Sequence, residues 1–271
     1  MCGISSIWAV LIIFNLPTQF IGQTIRYYET IGSTNTELKR LADEHAPEGM
    51  LLVADEQSAG RGRFKRVWQA PKKGSLLTSL LFRPTFLHPH NIQHLTMICS
   101  LAMIESIKQE TCISVNIKWP NDLVFDNRKL AGVLTEASFI ANKLSWIVVG
   151  LGVNVNFDVA TCLPEFAQTA ISLQTIAGHS ISRLALLRNY LVHVEKWYHA
   201  MCLGKSPHKA WKERLTMLGQ SVIISTNDHV FEGIAEDVEQ TGALQLRLPN
   251  GKLKSVLAGD VLIPFNSTPT T

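Results

Sequence analysis

Glycine and arginine interleave in the segment Gln57-Ser-Ala-Gly-Arg-Gly-Arg-Phe-Lys-Arg-Val-Trp68. Gly60 and Gly62 permit tight backbone turns and close approach to a ligand, while Arg61, Arg63 and Arg66 offer planar forks that match phosphate oxygens. A loop of this make-up suits an anion. It lacks the G-x-x-x-x-G-K-[ST] pattern, so P-loop geometry is not expected of it. Taken alone, it reads equally well as a solvated basic loop. Its setting adds weight, because no acidic residue stands between Glu56 and Glu105 while Arg61, Arg63, Lys65, Arg66, Lys72 and Lys73 crowd into that gap.

A second polar string, Lys118-Trp-Pro-Asn-Asp122, is followed after a turn by Arg128-Lys-Leu-Ala-Gly132. Pro120 restricts Trp119 to extended backbone and does not pair in a central ladder, which puts Asn121 and Asp122 just past a strand end. Such a pair can line a site or simply decorate a turn through local bonds. The apolar run after Lys129 draws its ammonium partly out of water, where it would seek an anionic partner such as a carboxylate or phosphate of a ligand, unless it is simply solvated beside the turn. Gly150-Leu-Gly-Val-Asn154 begins like a dinucleotide fingerprint, but Val155 stands where the third glycine belongs and no helix opens there. A strand-end turn remains, whose glycines would bring Asn154 to a ligand or serve the turn alone. His88, His90 and His94 lie in a Pro-containing stretch without nearby Cys or Glu ligands, so no metal site is expected.

The elements that would position these residues follow from periodicity. Ile21–Tyr28, Met50–Ala54, Ser75–Phe82, Val115–Trp119, Leu130–Glu136 and Ser145–Leu151 read as strands, with a turn at Asp126-Asn-Arg128. Thr34-x-x-Glu37 reads as a capping box opening a helix with Leu38 and Leu41 on one face. Asn91–Lys108 reads as a helix buried on most sides, and Ser182–Leu203 and His208–Leu218 have helical spacing. After Gly219, short strands over Val222–Ser225, Val230–Asp237, Leu244–Leu248, Leu253–Val256 and Val261–Ile263 suggest a small β-barrel, with a boundary near 217–219.

The 271 residues are 46% hydrophobic and 17% charged, enough for one large packed domain and a small one. A formal net charge of +3 is not the strong basic excess of a protein that lives on nucleic acid. Cys2, Cys99, Cys112, Cys162 and Cys202 are odd in number and lack C-x-x-C spacing, which suits a reduced, cytoplasmic protein. The apolar start, Met1 to Phe14, is shorter than the roughly 18 to 20 residues of a membrane span and has no basic flank, so it reads as a leader or a poorly made signal sequence.

Ser33-Thr-Asn35, Gly60-Arg-Gly-Arg-x-x-Arg-x-Trp68, Lys118-Trp-Pro-Asn-Asp122 with Arg128-Lys-Leu-Ala-Gly132, and Gly150-x-Gly-x-Asn-Val-Asn156 come in the order and spacing of biotin protein ligases. The resemblance runs from about residue 20 to 265. It implies an α/β (α+β) catalytic domain over 20–217, with a mixed sheet like that of class II aminoacyl-tRNA synthetases. An SH3-like barrel over 218–265 would follow, with 1–19 as a leader and 266–271 as a tail. It also implies two half-reactions: biotin and Mg·ATP give biotinyl-5′-AMP, and a lysine of the biotin carboxyl carrier protein then takes the biotinyl group.

By the resemblance, Ser33, Thr34, Asn35 and Gln57 contact the biotin head group. Arg61, Gly62 and Arg63 lie along biotin and its adenylate, Arg66 reaches the triphosphate, and Trp68 belongs to the nucleotide site. Lys129 meets carboxylate and α-phosphate, Asn154 lines the nucleotide side, and Asn121 and Asp122 contact phosphate or Mg²⁺. Arg63 and Lys129 are the catalytic candidates, and no resident metal is implied. This sequence departs from the family pattern at Lys65, where many members have glycine. About 20 residues precede the match, too few for the winged helix-turn-helix of members that double as repressors, so neither DNA nor membrane is expected as a partner. A homodimer is left open. A lipoate ligase is the nearest enzymatic rival, and a nucleic-acid module using the basic loop is the rival from another class.

Overall fold

The chain, described by a computed structural model over residues 16–141, 143–226 and 228–263, forms two β-sheets. The larger contains β1 (Ile25–Tyr28), β2 (Leu51–Ala54), β3 (Ser75–Phe82), β4 (Asn116–Lys118), β5 (Asp122–Phe125), β6 (Arg128–Ile140) and β7 (Lys143–Asn154). Its spatial order is β1-β2-β3-β7-β6-β5-β4, and it is mixed, since β1 and β2 run parallel and the other neighbours antiparallel. The leader before residue 16 and the tail at 266–271 lie outside the described residues.

Period-two alternation gives the central strands two faces of different character. Leu76, Leu80, Ala131, Val133, Val149, Leu151 and Val153 belong to the main core, shared with the helices Gln93–Thr111 and Arg183–Cys202. Residues at the intervening positions, Ser79, Gly132, Gly150 and Gly152, are small and cross-strand neighbours: Ser79 pairs with Gly150 and Gly132 with Gly152. One face is thus packed with branched side chains while the other leaves room above its backbone. The helix α1 (Thr34–Asp43) covers part of that second face through Leu38 and Leu41, which join a separate small cluster with Leu52, Leu81, Trp146 and Val148.

The remaining helices are α2 (Gln93–Thr111), α3 (Val159–Cys162), α4 (Leu173–Ala177), α5 (Arg183–Cys202) and α6 (His208–Lys212). None among the described residues is long and apolar enough to cross a membrane. After Gly219 come β8 (Ser221–Ser225), β9 (Val230–Val238), β10 (Leu244–Arg247), β11 (Leu253–Val256) and β12 (Asp260–Leu262), an antiparallel sheet ordered β11-β10-β9-β8-β12.

Several expectations need correction. The cap of α1 is Ser33, whose side chain accepts from the Thr36 N–H; Thr34 is inside the helix and its hydroxyl is taken by Gln57. Strand β1 begins only at Ile25, and the helix expected over His208–Leu218 ends at Lys212, because Leu215 instead bridges to Ile117. Asp122 does not trail a strand end but opens β5, a four-residue strand hidden between Pro120 and the Asp126-Asn127 turn, both of whose residues have positive φ.

The β9–β10 connection docks on the larger domain through buried side chains of two helices and of the β4–β5 turn. Trp119 Nε1 donates to Gly242 O at 2.9 Å, while His94 Nε2 and His208 Nε2 lie 2.8 and 3.0 Å from the carbonyls of Gln240 and Val238. Burial, reinforced by His208, holds the His94 pKa below the usual imidazole value near 6.5. The folded protein therefore binds fewer protons here than the unfolded chain just below that value. This contribution to stability is present above about pH 6.5 and is lost as pH falls toward the depressed pKa. Melting temperature should drop on acidification from pH 7 to pH 5, and less steeply in His94→Gln, which keeps a donor but does not titrate; parallel curves for the two proteins would refute the assignment.

Candidate active site

The open face of the larger sheet floors a cavity of about 430 Å³ that reaches the C-terminal sheet. Ser33, Thr34, Asn35, Gln57, Arg61, Gly62, Arg63, Arg66, Trp68, Asn121, Asp122, Lys129 and Asn154 all line it, so residues from separate stretches of chain meet in one place.

One end is rich in hydroxyls and amides. Gln57 Oε1 accepts from the Thr34 N–H at 2.8 Å and from its hydroxyl at 3.0 Å. The Asn35 amide is pinned at both edges: Nδ2 donates to Leu134 O and Glu136 Oε2, at 3.2 and 3.0 Å, and Oδ1 accepts from Ser79 Oγ at 2.6 Å. Its place exists because residue 150 is glycine; a Cβ there would stand 2.1 Å from Asn35 Oδ1. Glu136 also pairs with Lys39 at 2.7 Å and Arg61 at 3.1 Å. Burial raises its carboxyl, but the bonds from Lys39 and Asn35 and the charge of Arg61 outweigh that, and its pKa lies below the ordinary value.

The other end is cationic. The Gly-Arg loop closes on itself through Gly62 N to Arg66 O and Trp68 N to Gly60 O, at 2.8 and 3.0 Å, with Phe64 and Lys65 both at positive φ. Glycine at 60 serves this closure, since a Cβ would meet Trp68 O at 2.4 Å; Gly62 has ordinary room. Lys65, at φ +62, occupies a conformation that glycine adopts without the Cβ penalty. The Trp68 ring lies on the backbone of Gly132 and Gly152, where added Cβ atoms would come within 3.3 and 2.7 Å of it.

Arg63 Nη1 donates to Asn121 Oδ1 at 3.1 Å and to Gly259 O at 3.3 Å. Burial among these neutral acceptors lowers its pKa, though not enough to threaten a guanidinium's charge. Lys129 Nζ pairs with Asp122 Oδ1 at 2.7 Å and sits 5.6 Å from the Trp68 ring centre. Adjacent residues Asn121 and Asp122 thus hold two cations, from separate segments, that line the same cavity. Asn121 is itself fixed by its Nδ2 bond to Val133 O at 2.6 Å, and Asn154 by its bond to Ile171 O at 3.1 Å.

Two readings change. The Lys129 ammonium finds its anion in Asp122 within the chain, and Gly150 and Gly152 stand inside β7, where they admit Asn35 and Trp68, rather than in a strand-end turn. The sequence also gave no sign of the wall formed by Leu163, Phe166, Thr169 and Ala170, or of Asp260 from the C-terminal sheet. The first group comes from a segment without clear periodicity, tied to Lys129 by backbone bonds; the second lies far along the chain. His88 stacks on His90, while His94 faces Gln240 instead.

Neutral polar groups at one end and fixed cations at the other suit a small acid whose carboxylate must meet phosphate, the arrangement of an adenylate-forming ligase. Comparison with known proteins agrees. Residues 27–154 match the biotin/lipoate A/B protein ligase family, and 217–263 match the biotin protein ligase C terminal domain. The bifunctional ligase/repressor BirA of Bacillus subtilis is 32% identical over 250 residues, covering 92% of this chain and 76% of that protein. A biotin--[acetyl-CoA-carboxylase] ligase of Paracoccus denitrificans is 31% identical, covering 81% and 92%. The biotin protein ligase of Aquifex aeolicus, solved with biotin and ATP, superposes with a TM-score of 0.75 at 26% identity, covering 89% and 99%. The chain belongs to the biotin protein ligase family. It is an ATP-dependent enzyme that attaches biotin to a carboxylase.

Proposed function

We propose that the cavity runs both half-reactions, with biotin at the hydroxyl and amide end and ATP at the cationic end. The observation that carries this reading is the placement of Arg63 and Lys129 in the wall of one cavity, one bonded to Asn121 and the other paired with Asp122. Bringing a carboxylate to an α-phosphate sets two anions against each other, and fixed positive charge is what lowers that barrier. Ser33, Thr34, Asn35 and Gln57 take the head group, and Arg61 and Gly62 follow the acyl chain. Lys129 and Arg63 stabilise the junction where a carboxylate oxygen bonds phosphorus and pyrophosphate leaves. Arg66 binds the departing phosphates, Trp68 and Asn154 take the nucleotide side, and Asp122 can also face the Mg²⁺ that arrives with ATP.

In the second step the uncharged amine of a lysine on the biotin carboxyl carrier protein attacks the acyl carbon. AMP leaves, and the amide nitrogen gives up its proton. We assign residues 20–217 to a catalytic domain of the class II synthetase type and 218–265 to an SH3-like domain, in keeping with the mixed and the antiparallel sheet. Because Arg61, Arg63 and Arg66 turn onto the cavity, we assign them to biotin and nucleotide and not to DNA.

The test is pyrophosphate release from ATP. It should depend on biotin and not respond to lipoate. Release driven equally by lipoate would move the chain to the neighbouring specificity, and none with either acid would end the ligase reading.

A further inference from the structure

We propose that Asp260 is a built-in competitor of the nucleotide: its carboxylate occupies the Arg66 guanidinium until the phosphates of ATP displace it. The proposal rests on the ligase reading and adds to it a determinant of ATP affinity supplied by the C-terminal sheet.

The Gly-Arg loop and the start of β12 meet at the cavity mouth. Arg66 Nη2 pairs with Asp260 Oδ2, and Arg63 Nη1 reaches the neighbouring Gly259 O. The acceptors are held from behind, because Asp260 pairs with Ser225 across β12 and β8, and a Cβ on Gly259 would stand 2.7 Å from Ile224. Asp260 itself lines the cavity. The two arginines are treated differently. Arg63 is desolvated and hydrogen-bonded to neutral oxygens, while the Asp260 and Asp122 carboxylates act on it through space and not through a bond. Arg66 has a carboxylate on it although its side chain is 66% exposed. Burial does not force that pairing, and an exposed ion pair is weak enough to exchange for a polyanion. A carboxylate seated where phosphates must enter opposes them twice: it occupies their donor, and it repels their charge.

Asp260→Asn keeps size and backbone pairing while removing the charge. Calorimetry with ATP alone should show its Kd about threefold to tenfold below that of the wild type, since an exposed pair and one like charge are of that weight. Asp260→Ser should move the same way and Asp260→Glu should return to the wild-type value. Biotin affinity and the melting temperature should not change in Asp260→Asn, and raised salt should narrow the gap between it and the wild type. A Kd for ATP that is unchanged or higher in both Asp260→Asn and Asp260→Ser overturns the proposal, a rise meaning that Asp260 orients Arg66 for the nucleotide instead of withholding it. Wild-type protein that binds no ATP would sink the ligase reading along with it, whereas wild-type binding without tightening in the variants leaves that reading intact.

Discussion

Lys129→Ala is expected to slow formation of biotinyl-adenylate by about a hundredfold to a thousandfold, the usual effect of removing one donor aimed at developing negative charge. The fold should survive. Residue 129 is anchored by its backbone, with N–H to Thr169 O at 2.7 Å and C=O from Ile171 N at 2.9 Å, and its side chain is 40% exposed. Alanine also strands the Asp122 carboxylate beside the reacting phosphates, so the loss is of attraction and the gain is of repulsion. Arg63→Ala should act in the same direction. Single-turnover adenylate formation, with circular dichroism as the control for folding, checks both. A rate within threefold of wild type in each purified variant would remove these residues from the chemistry.

A methyl group on the sheet floor should be nearly as damaging by a different route. In Gly150→Ala the new carbon would stand 2.1 Å from Asn35 Oδ1, and Asn35 cannot step aside without giving up its bonds to Leu134, Glu136 and Ser79. Overpacking of this kind costs about 1 to 3 kcal/mol in stability. The displaced amide should raise KM for biotin by about tenfold or more, one good hydrogen bond to a ligand being worth that much. The KM for ATP should move far less, since the cations Arg63, Arg66 and Lys129 come from the Gly-Arg loop and β6 and not from β7. Steady-state kinetics with each substrate varied in turn makes the comparison, and an unchanged biotin KM would show that Asn35 does not read the head group.

These two expectations also mark what the sequence could and could not supply. The Gly-Arg loop and the Trp-Pro-Asn-Asp string were legible because each packs several chemically specific residues into consecutive positions, and the eight-residue strand Ser75–Phe82 was legible to the residue from its apolar run. Gly150 and Gly152 misled, because glycine signals a turn locally while its purpose here is set by Asn35 and Trp68 from elsewhere in the chain. Asn121 and Asp122 looked like turn decoration until Arg63 and Lys129 came beside them. Strand β5 was too short to show a period, and Asp260 is 194 residues from the arginine it holds. Local chemistry survives in the linear chain, whereas non-local partners appear only when distant segments fold together.

The central claim is that a carboxylate oxygen of biotin and the α-phosphorus of ATP meet between Arg63 and Lys129. A crystal grown with biotinyl-5′-AMP tests it most directly. The account predicts the mixed anhydride within hydrogen-bonding reach of Lys129 Nζ and an Arg63 guanidinium nitrogen, with the bicyclic head group against Thr34, Asn35 and Gln57. An adenylate bound with its anhydride against neither cation, or outside the cavity altogether, would contradict it.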